Sequence, residues 1–333
     1  MTLRVGIIGL GVGEAHIEGY KKANCQIRSL CDFDAIKLKS MAQKYPNTIL
    51  TTRAEDLFKD PSLDIISIAS FDNYHFEHMM QAIKYKKHVF IEKPLCLRLK
   101  ELQVIEKALA KNKTLKISSN LILRKSPLFE WLNEAIQKKK LGQLNLFEAD
   151  YNYGRLHKIT HGWRGQIPLY SVVLGGGIHL IDLIQWMTKD VPQEAFAYGN
   201  RIATRQTSYK YNDIVCALIH YKSGMVAKVS SNYSCIYPHF HKISLYGTKA
   251  TFLNDLGGAR WVESRESTAL PKSIVKKYPG VKKGDLIPDF IQAIRENGEP
   301  CVSKRDISLT MRTCLAIEQS IQTKKPVRIK SNV

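Results

Sequence analysis

Residues 4–120 alternate unbroken apolar runs with stretches of helical period. RVGIIGLG reads as a buried strand, AHIEGYKKA as a helix, IRSLCD as a second strand and AIKLKSMAQKY as a second helix. TILTT, the short helical AEDLFKD, DIISIAS, HFEHMMQAIKYKK, HVFIE, LKELQVIEKALAKN and TLKISSN continue the alternation. Strands that are apolar on both faces, separated by amphipathic helices, predict a parallel sheet covered on both sides. After about Asn120 the pattern changes. A helix, PLFEWLNEAIQKKK, precedes LNLFEADYNYG, which alternates like a half-buried strand. A glycine–histidine stretch, VLGGGIHLIDLIQW, then opens another helix, and five β-rich runs follow: QEAFAYGNRI, IVCALIHYKSG, MVAKVSSNYS, HKISLYGTKATF and ARWVES. Glycines in YKSGM and LYGTKA predict hairpin turns. The C-terminal DLIPDFIQAIRENG and SLTMRTCLAIEQSIQTK are helical. The expected fold is α/β with two domains: a doubly wound, Rossmann-like domain over 1–122, and an α/β domain over 123–333 built on a large, mostly antiparallel open sheet.

Composition narrows the class. A chain of 333 residues is comfortable for two domains, and 44% hydrophobic with 24% charged residues is ordinary for a globular protein. No run approaches the roughly 18 apolar residues of a membrane span. MTLRVGIIGLG leads into a glycine fingerprint and not a cleavage site, so no signal peptide is expected. Seven scattered cysteines, none in a C-x-x-C pair, suit a reducing cytoplasm. Net charge is 50 − 30 = +20. The lysine clusters are short and no nucleic-acid motif accompanies them, so the charge favours an anionic small molecule over a nucleic-acid partner.

GLGVGEAH follows the first strand and opens the first helix. Gly9 and Gly11 match the first two glycines of a G-x-G-x-x-G dinucleotide fingerprint, while the third position falls on Glu14 and Gly13 stands one residue early. Asp32 ends the second strand 32 − 9 = 23 residues after Gly9. An acid there accepts hydrogen bonds from the adenosine ribose and repels a 2′-phosphate, so NAD is favoured over NADP. FIEKP at 90–94 places Lys93 at the carboxyl edge of the sheet, where ligands lie in this architecture. His75 and His78, and His239 and His241, are spaced as pairs but lack a third ligand, so no metal is expected.

The chain resembles the Gfo/Idh/MocA oxidoreductase family. The pieces that carry the resemblance are GLGVGEAH, Asp32, NYHFEHMMQAIKYKKHVFIEKPL at 73–95, NLILRKSP at 120–127, GWR at 162–164, GGGIHLIDL at 175–183, GTKATF at 247–252 and FIQAIRENGEP at 290–300. The resemblance implies an NAD(P)-dependent dehydrogenase acting on CH–OH groups of sugars, cyclitols or nucleotide sugars. It also implies a homodimer or homotetramer assembled through the C-terminal sheet. Lys93 and His179 match the family's catalytic lysine and histidine. Gly9, Gly11, Gly13, Asp32, Glu92 and Lys93 fall at the cofactor. Asn120, Arg124, Trp163, Arg164, Tyr170 and Asp182 fall towards the substrate. The family's aspartate four residues before the histidine is missing, because that position is Gly175. Tyr170 and His161 are candidates to stand in for it. Asp182, three residues after His179, either orients the imidazole or serves packing. The expected activity is hydride transfer between a sugar-like, anionic or nucleotide-linked alcohol and the nicotinamide. The alternatives are an NAD-using glycoside hydrolase or lyase of the same fold and a non-catalytic NAD-binding regulator.

Overall fold

The computed structural model describes residues 2–330. These divide into two compact units, Met1–Ile122 with Val281–Ser308, and Leu123–Gly280 with Leu309–Val333.

The first unit carries six strands, β1 (Arg4–Ile8), β2 (Gln26–Cys31), β3 (Ile49–Thr51), β4 (Ile65–Ile68), β5 (His88–Ile91) and β6 (Ile117–Ser119). All pairs are parallel, in the order β3-β2-β1-β4-β5-β6. The order reverses at β1, which puts the ligand crevice of such a sheet at the carboxyl ends of β1 and β4. The central strands are apolar throughout because helices cover both faces: Val5, Ile7, Ile65, Ile66, Ile68, Val89, Phe90 and Ile91 are fully buried. The covering helices are α1 (Gly13–Lys22), α2 (Ala35–Lys44), α3 (Ala54–Lys59), α4 (His75–Lys84) and α5 (Leu99–Lys111). Local chemistry sets their starts. The Asp34 carboxylate accepts from the amides of Ile36 and Lys37 at the head of α2. Glu101 reaches back to the amides of Leu97 and Arg98 at the head of α5.

The second unit is a nine-stranded sheet in the order β14-β13-β12-β11-β7-β10-β9-β8-β15. Its strands are β7 (Leu144–Asn152), β8 (Pro192–Asn200), β9 (Ile214–Tyr221), β10 (Val226–Asn232), β11 (Phe240–Gly247), β12 (Thr251–Asp255), β13 (Gly258–Val262), β14 (Lys272–Ile274) and β15 (Val327–Arg328). Only β7 and β10 run parallel. Alternation sorts the two faces: Val215, Ala217, Ile219 and Tyr221 of β9 are buried, whereas Cys216, Leu218 and His220 are exposed. Three further helices belong here, α6 (Pro127–Gln137), the single turn α7 (His157–Thr160) and α8 (Ile178–Thr188). Helix α8 lies on β7, β10 and α6 and is buried around most of its circumference, which explains why its sequence carries almost no polar face.

Two further helices follow, α9 (Ile287–Arg295) and α10 (Lys304–Thr323). The sequence pattern leaves α9 in the second domain, but residues 281–308 pack in the first unit. The reason is the apolar face of α9. Ile287, Phe290 and Ile291 are fully buried, α9 packs on α1, and the ring of Phe290 meets that of Phe90 in β5 at 5.7 Å. Among the described residues no helix is long and apolar enough to cross a membrane.

Candidate active site

In the first unit the chain leaves β1 through Gly9, whose φ of +85° is a conformation that favours glycine. A β-carbon there would also stand 2.3 Å from the Ala69 carbonyl oxygen, just past β4. Gly11 differs: around the place of its missing β-carbon only Lys37 Nζ comes within 4 Å, at 3.8 Å. Its backbone faces open space, as a surface that receives a pyrophosphate requires. Gly13 takes the third role. A β-carbon there would lie 2.9 Å from the Ile7 side chain, so this glycine lets α1 pack against β1. The turn is one residue shorter than the usual fingerprint and keeps all three glycine functions. Glu14, the residue at the usual third position, is drawn aside by Lys44 at 2.8 Å.

Asp32 lies at the end of β2, where its carboxylate holds the glycine turn. Oδ2 accepts from the Leu10 amide at 2.7 Å and Oδ1 from the Asp34 amide at 3.0 Å. Lys37 Nζ stands 3.9 Å from Oδ2, a cation that α2 brings back beside the acid. The open Gly11 backbone beside this carboxylate fits an adenine dinucleotide, with the turn for its pyrophosphate and Asp32 for its ribose hydroxyls.

The exits of β4 and β5 are tied together. His75, fully buried at the start of α4, has Nδ1 2.6 Å from the Pro94 carbonyl oxygen and Nε2 3.0 Å from the Ser70 carbonyl oxygen. His78 sits 3.0 Å from the Ser70 hydroxyl. Burial, then the neighbouring His75, pushes His78 down to about 4, so its ring is neutral at pH 7. The pair thus fixes the loops that carry Lys93. The Lys93–Pro94 bond is cis, and Lys93 itself is half-buried.

Glu92 is turned inward. Its Oε1 accepts from Asn120 Nδ2 at 2.6 Å and lies 3.3 Å from His16 Nε2, while His16 Nδ1 faces the Ser67 hydroxyl at 3.0 Å. Burial alone would raise this carboxyl. The charge of Lys283, the His16 hydrogen bond and the charge of Lys93 hold it well below the usual carboxylate range. Asn120 also donates to the Lys283 carbonyl oxygen at 3.0 Å, and its own side-chain oxygen is buried with no hydrogen-bond partner. Glu92 and Asn120, expected at the cofactor and the substrate, form with His16 a buried network behind Lys93. His16 ends the GLGVGEAH stretch, but nothing in that stretch points to Glu92 as its partner. Only its position on the inner face of α1 marks it.

In the second unit His179 lies on α8 and is 6% exposed. The helix is entered through a π-helical turn, Val173–Gly177, of the kind that recurs at functional sites. Ser171 organises this entry: its hydroxyl accepts from the amides of Val173 and Leu174 and donates to the half-buried Glu318 carboxylate at 2.5 Å. Burial pushes Glu318 up. The π-turn seats Gly175 against two phenols. A β-carbon at 175 would lie 2.1 Å from Tyr170 Oη and 3.0 Å from Tyr233 Oη, and the two hydroxyls are hydrogen-bonded at 2.9 Å. Tyr151 stacks on the His179 ring, with centroids 6.4 Å apart and planes 19° apart. It also lies beside Tyr233 and beside His239 and His241. Tyr153, Tyr233 and His239 extend this aromatic wall. The alternation of DYNYG placed Tyr151 on one strand face, but the wall draws on β7, β10 and β11 and was not legible from sequence.

The other expected substrate residues separate into two groups. Trp163 and Arg164 lie in one short turn, with the guanidinium 4.6 Å from the indole and the indole 6.3 Å from the Tyr170 ring. Arg124 and Asp182 are held by each other. Arg124 Nε donates to Oδ2 at 2.9 Å and an Nη to Oδ1 at 2.6 Å, and both side chains are 1% exposed. This buried, bidentate pair anchors α8, with Trp186 5.8 Å from the guanidinium. The reading of Arg124 and Asp182 as substrate contacts therefore gives way to a packing role. Of the histidine pairs weighed as metal ligands, His75 faces carbonyl oxygens and His241 Nδ1 lies 2.7 Å from the Tyr278 hydroxyl.

Comparisons with known proteins follow this layout. Residues 3–120 match the model described as "Oxidoreductase family, NAD-binding Rossmann fold", and residues 129–253 match the one described as "GFO/IDH/MocA C-terminal domain". A myo-inositol 2-dehydrogenase of Thermotoga maritima is 24% identical over 98% of this chain and 99% of its own. A levoglucosan dehydrogenase solved with NADH and levoglucosan superposes with a TM-score of 0.87 at 18% identity, over 99% of this chain and 100% of that one. The scyllo-inositol dehydrogenase of Lactobacillus casei, solved with NAD(H) and scyllo-inositol, gives 0.79 at 17% identity over 99% of both chains.

Proposed function

Because the chain belongs to the Gfo/Idh/MocA family of NAD-binding oxidoreductases, we propose that it is a dehydrogenase that interconverts an alcohol and a carbonyl on a sugar-like or cyclitol substrate. The observation that carries this reading is the open Gly11 backbone beside Asp32, on the same sheet edge as Lys93. NAD, when bound, supplies the hydride acceptor. The Gly9–Gly13 turn receives its pyrophosphate and Asp32 its adenosine ribose. His179 accepts the hydroxyl proton of the substrate as general base. Lys93 donates a hydrogen bond to the oxygen as negative charge builds on it. Glu92, His16 and Asn120 position Lys93 and supply a compensating negative charge behind it. Trp163, Arg164 and Tyr170 border the substrate. Inositol and levoglucosan dehydrogenases among the relatives support the substrate class.

An anionic or nucleotide-linked substrate is the finer reading. Its support is the net charge of +20 and the segment 151–181, which contains Arg155, Lys158 and Arg164 but no aspartate or glutamate. Two readings concern the molecule as a whole. The uncovered face of the nine-stranded sheet, with Tyr198 66% and Leu218 52% exposed, is the assembly surface of a dimer or tetramer. Seven free cysteines fit a cytoplasmic setting.

The test is NADH formation, followed by absorbance across a panel of sugars, cyclitols and nucleotide sugars. Lys93→Met and His179→Ala are each expected to lose about a hundredfold or more in kcat while still binding NAD. Wild-type turnover by either variant would remove that residue from the chemistry.

A further inference from the structure

Position 175 can hold no side chain, because the Tyr170 phenol already fills the space. Tyr170 Oη lies where a β-carbon would approach to 2.1 Å, with Tyr170 Cζ at 2.7 Å and Tyr233 Oη at 3.0 Å. Tyr170 and Tyr233 are 2% and 1% exposed, so a side chain at 175 would have to displace a packed ring. Gly175 is one helical turn before His179. A carboxylate there would put a negative charge next to the imidazole. The phenol pair puts a hydrogen-bonded but uncharged group in the same place. Burial, then the neighbouring phenols Tyr170 and Tyr151, push Tyr233 well above the ordinary tyrosine range, so its hydroxyl stays protonated. The rest of the segment that leads to His179 is also free of acids from Tyr151 to Ile181. The carboxyl that does reach the π-turn, Glu318, is drawn towards its neutral form by burial.

We propose that the Tyr170–Tyr233 pair, with Gly175, is a specificity device: it replaces an acidic side chain by a neutral hydroxyl pair, so that the site prefers an alcohol carrying an anionic group over its neutral counterpart. The proposal rests on the dehydrogenase reading of His179. It adds the residues that set the charge preference. A negative charge on the substrate meets no fixed negative charge on this segment, whose charged residues are Arg155, Lys158 and Arg164.

The experiment measures binding of glucose, glucuronate and glucose 1-phosphate to the NAD-loaded protein by calorimetry. Preference for glucuronate or for glucose 1-phosphate separates a carboxylate from a phosphate as the recognised anion. The wild type should bind one of the two anions at least tenfold more tightly than glucose. The double variant Tyr170→Ala/Gly175→Asp vacates the phenol space and fills it with a carboxylate. With NAD binding retained, it should lose that preference. If this variant fails to fold, Tyr170→Glu places an acid in the same space without touching the π-turn and should do the same. A wild type that binds neither anion, or binds them no better than glucose, overturns the proposal, as does a folded acidic variant that keeps the preference. NADH formation is read in parallel. Anion preference without NADH from any compound would leave the charge device standing and sink the dehydrogenase reading.

Discussion

At the end of β2 one carboxylate does two jobs. Asp32 pins the glycine turn through the Leu10 amide, and in the proposed reading its remaining lone pairs serve a ribose. Its place was legible in sequence, because a strand-end acid 23 residues after Gly9 is a positional signal. Lys37, 3.9 Å away, was not, because helical geometry and not sequence spacing returns it to the acid. The pair leads to a prediction about cofactor choice. Asp32→Ser removes the group that repels a 2′-phosphate and leaves Lys37 to meet it. The ratio of kcat/KM for NADP over NAD should rise at least tenfold. The melting temperature should fall as well, because the shorter hydroxyl does not replace the bond to Leu10. An unchanged cofactor ratio would show that Asp32 does not face the ribose. Arg124 and Asp182 illustrate the opposite limit of sequence reading. Arg124 read as a substrate contact and Asp182 as either an imidazole-orienting or a packing residue, and 58 positions separate the two side chains that pair.

Helix α8 carries His179. Its start was readable from GGGIHLIDL, but the π-turn and its Ser171–Glu318 support were not, since Glu318 comes from 147 residues downstream. The helix is fixed from the side by the buried Arg124–Asp182 pair. Breaking such a pair by removing one partner leaves an uncompensated charge and costs about 3–5 kcal/mol, while replacing both by apolar groups costs far less. Arg124→Met alone should therefore lower the urea midpoint steeply, and Arg124→Met/Asp182→Leu should recover most of the loss. If the double variant is as unstable as the single one, the pair does more than anchor α8.

For the whole molecule, strand–helix alternation predicted the first sheet and the period-2 runs predicted most of the second. The short strands β14 and β15 escaped notice, because three and two residues carry too little periodicity to be seen. The open face of the large sheet bears on assembly. Leu218→Lys places a charge on β9 within that face and should shift the sedimentation coefficient to that of a monomer without lowering the melting temperature of the folded chain. An unchanged oligomer would place the assembly surface elsewhere. The return of residues 281–308 to the first unit has a consequence for the order of synthesis. The six strands of the dinucleotide-binding sheet are made before residue 120, yet Phe290, which covers Phe90, and Lys283, whose charge steadies Glu92, are made 290 − 90 = 200 and 283 − 92 = 191 residues after those partners. The nascent first unit therefore waits, Phe90 without its covering ring and Glu92 with only Lys93 and His16 beside it, until residues 281–308 have been translated. The unit whose strands are encoded first is completed only by residues that follow the second sheet.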